Sequence, residues 1–131
     1  MDPRSIGKLG ERYAARYLFK QGYTILAANY RTRMGELDLI IGKGKTIAFV
    51  EVKTRSPKSL FEPKEAVDFD KRRKMLLSAM SVIKAQELSG YKIRFDVVEV
   101  IMDEEGYHDE RKAVVNHIEN AFSAEGYNAF I

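Results

Sequence analysis

Residues 35–55 read GELDLIIGKGKTIAFVEVKTR, and the fold turns on this stretch. Two apolar runs, Leu39-Ile40-Ile41 and Ile47-Ala48-Phe49-Val50, flank Gly42-Lys43-Gly44-Lys45, a short glycine-bearing connection that joins antiparallel neighbours. Runs that are apolar on both strand faces belong to a sheet covered on both sides, which predicts a layered α/β domain. Polar residues interrupt the pattern at one end only. Glu36 and Asp38 stand two apart at the start of the first strand, and Glu51 and Lys53 stand two apart at the end of the second. Residues two apart share a face, and a hairpin brings these strand ends together.

Carboxylates among Leu37, Leu39, Val50 and Val52 are costly, because an unpaired buried carboxylate costs several kcal/mol. A hard divalent cation, Mg²⁺ or Mn²⁺, compensates oxygen ligands such as Asp38, Glu51 and an additional Glu36, and Lys53 adds an ammonium. Such a constellation suits phosphodiester hydrolysis, in which a cation polarises the phosphate and a lysine orients water or neutralises developing charge. The plainer alternative is a cross-strand salt bridge of Lys53 with Glu36 or Asp38. One pair would fit that reading; three carboxylates fit a site better.

Working outward, residues 3–21 carry Ile6, Gly10, Tyr13, Ala14, Tyr17 and Leu18 at helical spacing, and Gly22 ends the helix. Strands are predicted over residues 23–30, 35–41 and 46–53, and a loop with Pro57 and Pro63 over residues 54–67. A second helix, capped by Asp68 or Asp70, runs to near residue 89, with Met75, Leu76, Ala79, Val82 and Ile83 on its buried stripe. A fourth strand follows over residues 91–102, then an acidic turn over 103–106. From residue 112 onward the pattern is ambiguous, with 113–118 a candidate last strand and 119–122 a candidate helical turn. At 131 residues with no linker composition, the whole chain, 1–131, reads as one domain.

Composition narrows the classes further. There is no cysteine, which excludes disulfides, thiolate zinc sites and a cysteine nucleophile. No apolar run resembles a signal sequence or a membrane span, so the expected home is cytoplasmic. Net charge is only +3, yet residues 1–74 hold 17 Lys/Arg against 9 Asp/Glu, and residues 75–131 hold 5 against 10. That asymmetry fits a polyanion partner such as nucleic acid. Lys71, Arg72, Arg73 and Lys74 crowd the start of the second helix, where cations oppose the macrodipole, so a purpose beyond helix stability is expected of them. Asp96 is assigned to pairing with Arg94, and His108 and His117 to packing or surface roles.

The 35–55 stretch resembles the core of the YraN-like proteins, predicted endonucleases related to archaeal Holliday junction resolvases in the PD-(D/E)xK superfamily. The likeness extends to Gly7, Gly10, Glu11, Ala14, Ala15 and Leu18, to Asn29 and Tyr30, to Glu65, Ala66, Val67 and Lys71, and to Arg94, Phe95, Asp96 and Val97. It implies a restriction-endonuclease-like three-layer core: a mixed sheet of four or five strands, element order αβββαβ, helices on both faces. Asp38 takes the place of the motif aspartate, Glu51 the acidic residue before the lysine, and Lys53 the lysine. Leu37 replaces the proline often found before the aspartate. Glu11 matches the helix-borne acidic residue that related resolvases bring to the metal.

The resulting expectation is an endonuclease for structured or branched DNA, with Glu11, Asp38, Glu51 and Lys53 as its catalytic set and the three carboxylates as metal ligands. Phosphates would be tracked by Arg31, Arg33, Arg55, Lys58 and the 71–74 cluster, without base-specific reading. A homodimer would suit a two-fold substrate. The competing expectation is a binding or adaptor module working with a recombination or repair partner, and RNA is a further alternative substrate.

Overall fold

A computed structural model describes residues 1–61 and 69–123. Helix α1 (Pro3–Lys20) is followed by strands β1 (Thr24–Thr32), β2 (Gly35–Lys43) and β3 (Thr46–Arg55) and a 3₁₀ turn (Pro57–Phe61). Helix α2 (Phe69–Ala85), strand β4 (Lys92–Ile101), the short helix α3 (Glu104–His108) and strand β5 (Val114–Ile118) complete the order. The five strands form one sheet in the order β1-β2-β3-β4-β5, antiparallel except for the parallel β3–β4 pair. The predicted α/β class, mixed sheet and αβββαβ order are all present.

Each face of the sheet has its own core. Tyr13, Ala14 and Leu18 of α1 pack on Leu39, Ile41, Ala48, Val50, Val98 and Val100, while Met75, Leu76, Ala79 and Val82 of α2 pack on Leu37, Ile40, Ile47, Phe49 and Phe95. Asp2 caps α1 by accepting the Ser5 amide at 2.8 Å, and Pro3 occupies its first turn, where a missing N–H costs nothing. The helix lies close to β3 at Gly10, where an added Cβ would fall on the Thr54 side chain. That approach carries the next residue, Glu11, down to the sheet.

Three segments differ from the sequence reading. The acidic stretch expected as a turn winds into α3, because the Asp103 carboxylate accepts the Glu105 amide at 3.1 Å as an N-cap. The expected loop from residue 54 begins later, since β3 continues to Arg55 beside β4 and a 3₁₀ turn follows. Residues 119–122 form no helical turn. Instead the Ala121 amide donates to Phe95 O at 2.7 Å, and Phe122 stacks on Phe95 with centroids 5.2 Å apart. Asp68, and Glu65, Ala66 and Val67 of the family likeness, lie outside the described residues.

Midway along β4, level with Val50 of β3, Asp96 is fully buried and fully partnered. It receives Arg94 Nε at 2.9 Å and a second guanidinium N–H at 2.8 Å, His117 Nε2 at 2.7 Å and the Asn120 amide at 2.9 Å. Burial by itself pushes this carboxyl up, but the hydrogen bonds from His117, Arg94 and Asn120 outweigh it and hold the group below its ordinary value. The structural roles expected for Asp96 and His117 agree with this geometry.

Asp96→Ala leaves Arg94 with Glu119, at 3.6 Å, and the Tyr23 hydroxyl in place of its buried carboxylate, and removing one partner of a buried ion pair costs up to roughly 3–5 kcal/mol. Urea unfolding at neutral pH should show a loss of that size. Because the native pKa is depressed, this stabilisation is present above the ordinary aspartate range and disappears as pH falls through the lowered value. The wild type's advantage over Asp96→Asn should therefore shrink in strong acid; an advantage independent of pH would contradict the assignment.

Candidate functional site

The β2–β3 ladder runs from the Lys43–Thr46 turn to the Leu39–Val50 pair and stops there. Past it, the Val52 amide donates to Asp38 Oδ2 at 2.8 Å, so a side chain stands where a cross-strand partner would be expected. Alternation breaks at the same rung. Leu37 packs in the α2-side core and Leu39 in the α1-side core, although residues two apart on a regular strand share a face. Neighbouring β1 is irregular here too: Asn29 lies between the partners of Leu37 and Leu39 and adopts a left-handed φ of 51°, which asparagine tolerates better than most residues. The kink places Asp38 at the parting of the strands, within electrostatic reach of groups on both sheet faces.

From α1, Glu11 approaches. Its Oε2 is the one buried side-chain polar atom without a hydrogen-bond partner among the described residues. Burial raises the Glu11 pKa above its ordinary value, and Asp38 and Glu36 add to the rise while the Asn29 side chain opposes it. Burial also leads the upward shift of Asp38, reinforced by Glu51 and Glu36 and opposed by the Val52 hydrogen bond and by Lys71. From the α2 side comes Glu51, only 5% exposed, whose Oε1 meets Lys71 Nζ at 2.6 Å. A pocket of about 250 Å³ opens between β2 and α2, lined by Glu36, Asp38, Glu51, Lys71, Arg72 and Lys74 among others.

The structure thus brings Glu11, Asp38, Glu51 and Glu36 into one electrostatic neighbourhood, with Asp38 at its centre. Glu36 is exposed and pairs with Arg31 at 3.6 Å. Lys53 stands on β3 two residues beyond Glu51, half-buried, outside the pocket lining and in no ion pair with Asp38 or Glu51. The lysine on the carboxylates is Lys71. The sequence groups it with the phosphate-tracking cations, yet a signal for its true place is available: a helix linking parallel strands begins over the C-terminal end of the strand before it. Glu51 lies in the C-terminal half of β3, on the approach to that end.

The remaining basic candidates disperse. Arg33 is exposed in the β1–β2 turn, Lys58 is exposed in the 3₁₀ turn, and Arg55 pairs with Glu99 at 3.8 Å. Arg73 and Lys74 both pair with Asp70, at 3.1 and 3.4 Å. Arg72 lies over the Phe122 ring, 4.9 Å from its centroid.

Whether these residues suit a metal can be judged from the donors themselves. A buried carboxylate oxygen with no partner, beside a second carboxylate whose charge is also disfavoured, is what a hard cation would correct. The donor set is all oxygen, which matches Mg²⁺ or Mn²⁺. As placed, no three such groups among the described residues stand close enough to hold one ion. Glu51 is paired with Lys71 of α2, and Asp38 accepts the Val52 amide.

The architecture is therefore an α/β layered fold with an under-compensated carboxylate cluster where two central strands part. By sequence, the chain belongs to the uncharacterised protein family UPF0102, whose model matches residues 10–100. A UPF0102 protein of Alkaliphilus metalliredigens is 44% identical over 91% of this chain and 98% of its own. Another from Caldanaerobacter subterraneus subsp. tengcongensis is 42% identical over 93% and 98%. Among solved structures, Pyrococcus furiosus SfsA in complex with Ca²⁺ is similar with a TM-score of 0.39 and 18% identity. The likeness covers 90% of this chain but only 64% of that one, a distance at which function does not transfer.

The raised carboxyls predict how the site affects stability. A carboxyl pushed up on folding lends stability that is complete below its unfolded pKa and lost as pH rises through its native one. At pH 7 in EDTA, Asp38→Asn should therefore melt above wild type, the amide oxygen still accepting Val52 N–H. The gap should close in acid, where wild-type Asp38 is protonated. A variant that melts lower at both pH values would show that the charge is not the disfavoured element.

Proposed function

We propose that this protein is a divalent-metal-dependent endonuclease of the PD-(D/E)xK type, acting on structured or branched DNA in the cytoplasm. The observation that carries the reading is the buried, partnerless Glu11 Oε2 beside Asp38, at the point where β2 and β3 part. Elsewhere the fold compensates its buried carboxylate completely, as Asp96 demonstrates. A protein that leaves such groups unsatisfied loses stability unless a ligand supplies the missing charge.

Glu11, Asp38 and Glu51 would hold Mg²⁺ or Mn²⁺, with Glu36 as an additional acidic group. Bound there, the cation would supply Lewis acidity toward a phosphate oxygen and lower the pKa of coordinated water. The chain's own residues do the rest. Val52 N–H fixes the Asp38 carboxylate, and the burial of Glu51 limits water at the strand ends. Lys53 is assigned to the attacking water or to the charge that develops on phosphate. Arg31, Arg33, Arg55 and Lys58 give the surface cations that would position a phosphate backbone.

A second reading has its own observation. Lys71 already neutralises Glu51, and an ion pair at the heart of the pocket is compatible with a binding or adaptor module that serves a recombination or repair partner without cleaving. Among the described residues no helix is long and apolar enough to cross a membrane, which is neutral between the two.

Purified protein incubated with Mg²⁺ or Mn²⁺ and duplex, flap, single-stranded, four-way-junction and RNA substrates should cleave at least one DNA. Asp38→Ala and Glu51→Ala should reduce cleavage by orders of magnitude while binding in EDTA survives. Lys53→Ala should retain metal binding and lose turnover. Cleavage by Lys53→Ala at the wild-type rate would remove that lysine from the mechanism, and binding without cleavage on every substrate would favour the adaptor. Separately, replacing Arg72 and Lys74 with alanine should weaken binding alike across sequences and flatten its salt dependence by about one unit of slope for each phosphate no longer neutralised. An unchanged salt slope would return those cations to ordinary surface solvation.

A further inference from the structure

The position of Lys71 calls for an explanation that surface solvation does not give. Its side chain is 61% exposed, yet its ammonium turns inward to Glu51 Oε1 at 2.6 Å, onto a carboxylate whose own side chain is 6% exposed. It also sits in the first turn of α2, where a cation opposes the helix dipole. Arg73 and Lys74 of the same turns share Asp70, so that pairing does not depend on Lys71. Remove Lys71, and Glu51 becomes a buried carboxylate with no compensating ammonium from α2.

One ammonium is also too little charge for the cluster it serves. Lys71 pairs with Glu51 Oε1, while Glu11 Oε2 is buried and has no hydrogen-bond partner among the described residues. A divalent ion brings twice the charge and several coordination positions to the same oxygens. The two cations compete for Glu51, because an oxygen hydrogen-bonded to an ammonium is not free to coordinate a metal.

We propose that Lys71 is a built-in counter-cation, occupying Glu51 in the metal-free protein and displaced when a divalent ion binds the carboxylates. This rests on the metal site proposed above. The exchange has a second consequence. Once displaced, the ammonium remains in the pocket beside Arg72 and Lys74, facing an anion rather than a carboxylate. A single side chain would thereby keep the metal-free fold stable and add positive charge for a phosphate only when metal is present. Because the two cations exclude one another on Glu51, metal affinity is held below what the carboxylates alone would give.

The test measures metal binding without substrate. Mn²⁺ affinity is followed by electron paramagnetic resonance of the free ion, or calorimetrically, for wild type, Lys71→Ala, Lys71→Arg and Lys74→Ala. A hydrogen bond to a charged group is worth enough that Lys71→Ala should bind Mn²⁺ about tenfold tighter or more. Lys71→Arg keeps the competing charge and should stay near wild type. Lys74→Ala removes a pocket cation paired with Asp70 rather than Glu51, so its smaller gain measures the general effect of one positive charge. In EDTA, Lys71→Ala should melt below wild type, and saturating Mn²⁺ should raise its Tm by more than it raises that of wild type. Lys71→Met, which keeps the apolar stem, serves if the alanine variant does not fold.

Equal Mn²⁺ affinity in Lys71→Ala and wild type, or an equal gain in Lys74→Ala, overturns the counter-cation while leaving the metal site standing. Failure of every form to bind Mn²⁺ overturns the metal site and this proposal with it.

Discussion

The hydrogen bond from Val52 N–H to Asp38 sits at the one place where two central strands cease to pair. A separated pair of strands leaves amides and carbonyls that need partners, and buried backbone groups are rarely left without them. Asp38 satisfies one such amide with its side chain and in doing so fixes its own carboxylate in a half-buried position. The irregular backbone at Asn29 and the reversal of facing between Leu37 and Leu39 surround the same rung. Everything assigned to the site hangs on this parting: only there can groups from α1, on one face of the sheet, and α2, on the other, act on a common carboxylate.

Two sets of buried acidic residues in this small molecule make opposite use of the same physics. Asp96 is saturated by a bidentate guanidinium, an imidazole and a backbone amide, and its ionised form is favoured in spite of burial. Glu11 and Asp38 are half-buried with less, and their ionised forms are disfavoured. Burial alone does not separate structure from function; the completeness of compensation does. The Asp96 network joins β4, the start of β1 through Tyr23, and the turn after β5, which makes it a lock on the edges of the fold. The Asp38 cluster is less complete: Asp38 satisfies the Val52 amide and Glu51 pairs with Lys71, but Glu11 Oε2 is left without a partner.

Much of this was legible in the sequence because it follows from period and topology. The apolar runs around Gly42 to Lys45 required a hairpin, and the hairpin required Asp38 and Glu51 to lie at the same end. Glu11 came from family likeness, since helical spacing alone gives no reason for a carboxylate on that stripe to reach the sheet; the close approach at Gly10 is a property of packing. The helix α3 was missed because five residues are too few for a periodic signal, and its Asp103 cap resembles a turn residue until the Glu105 amide is seen to donate to it. The segment after β5 was misread for the converse reason. Residues 119–122 have fair helical composition, but the backbone bond to Phe95 and the Phe122–Phe95 stack outweigh local preference. The motif put the Lys53 ammonium among the carboxylates, whereas the ion pair on Glu51 belongs to Lys71, whose place follows from the βαβ topology and not from the motif.

Among the basic residues at the start of α2, Arg72 is treated differently from the others. Lys71 is engaged by Glu51, and Arg73 and Lys74 are engaged by Asp70. Arg72 is instead held by an aromatic face, its guanidinium 4.9 Å from the Phe122 ring centroid, with no carboxylate partner among the described residues. A carboxylate orients a guanidinium by cancelling its charge; an aromatic quadrupole orients it while leaving the charge uncancelled. Phe122 is in turn fixed by its stack on Phe95 in the α2-side core. The segment following the last strand thus returns to the pocket and steadies one full positive charge at its lining. In a cluster where ion pairs neutralise most neighbours, that charge is the one left to meet an anion without first breaking a salt bridge.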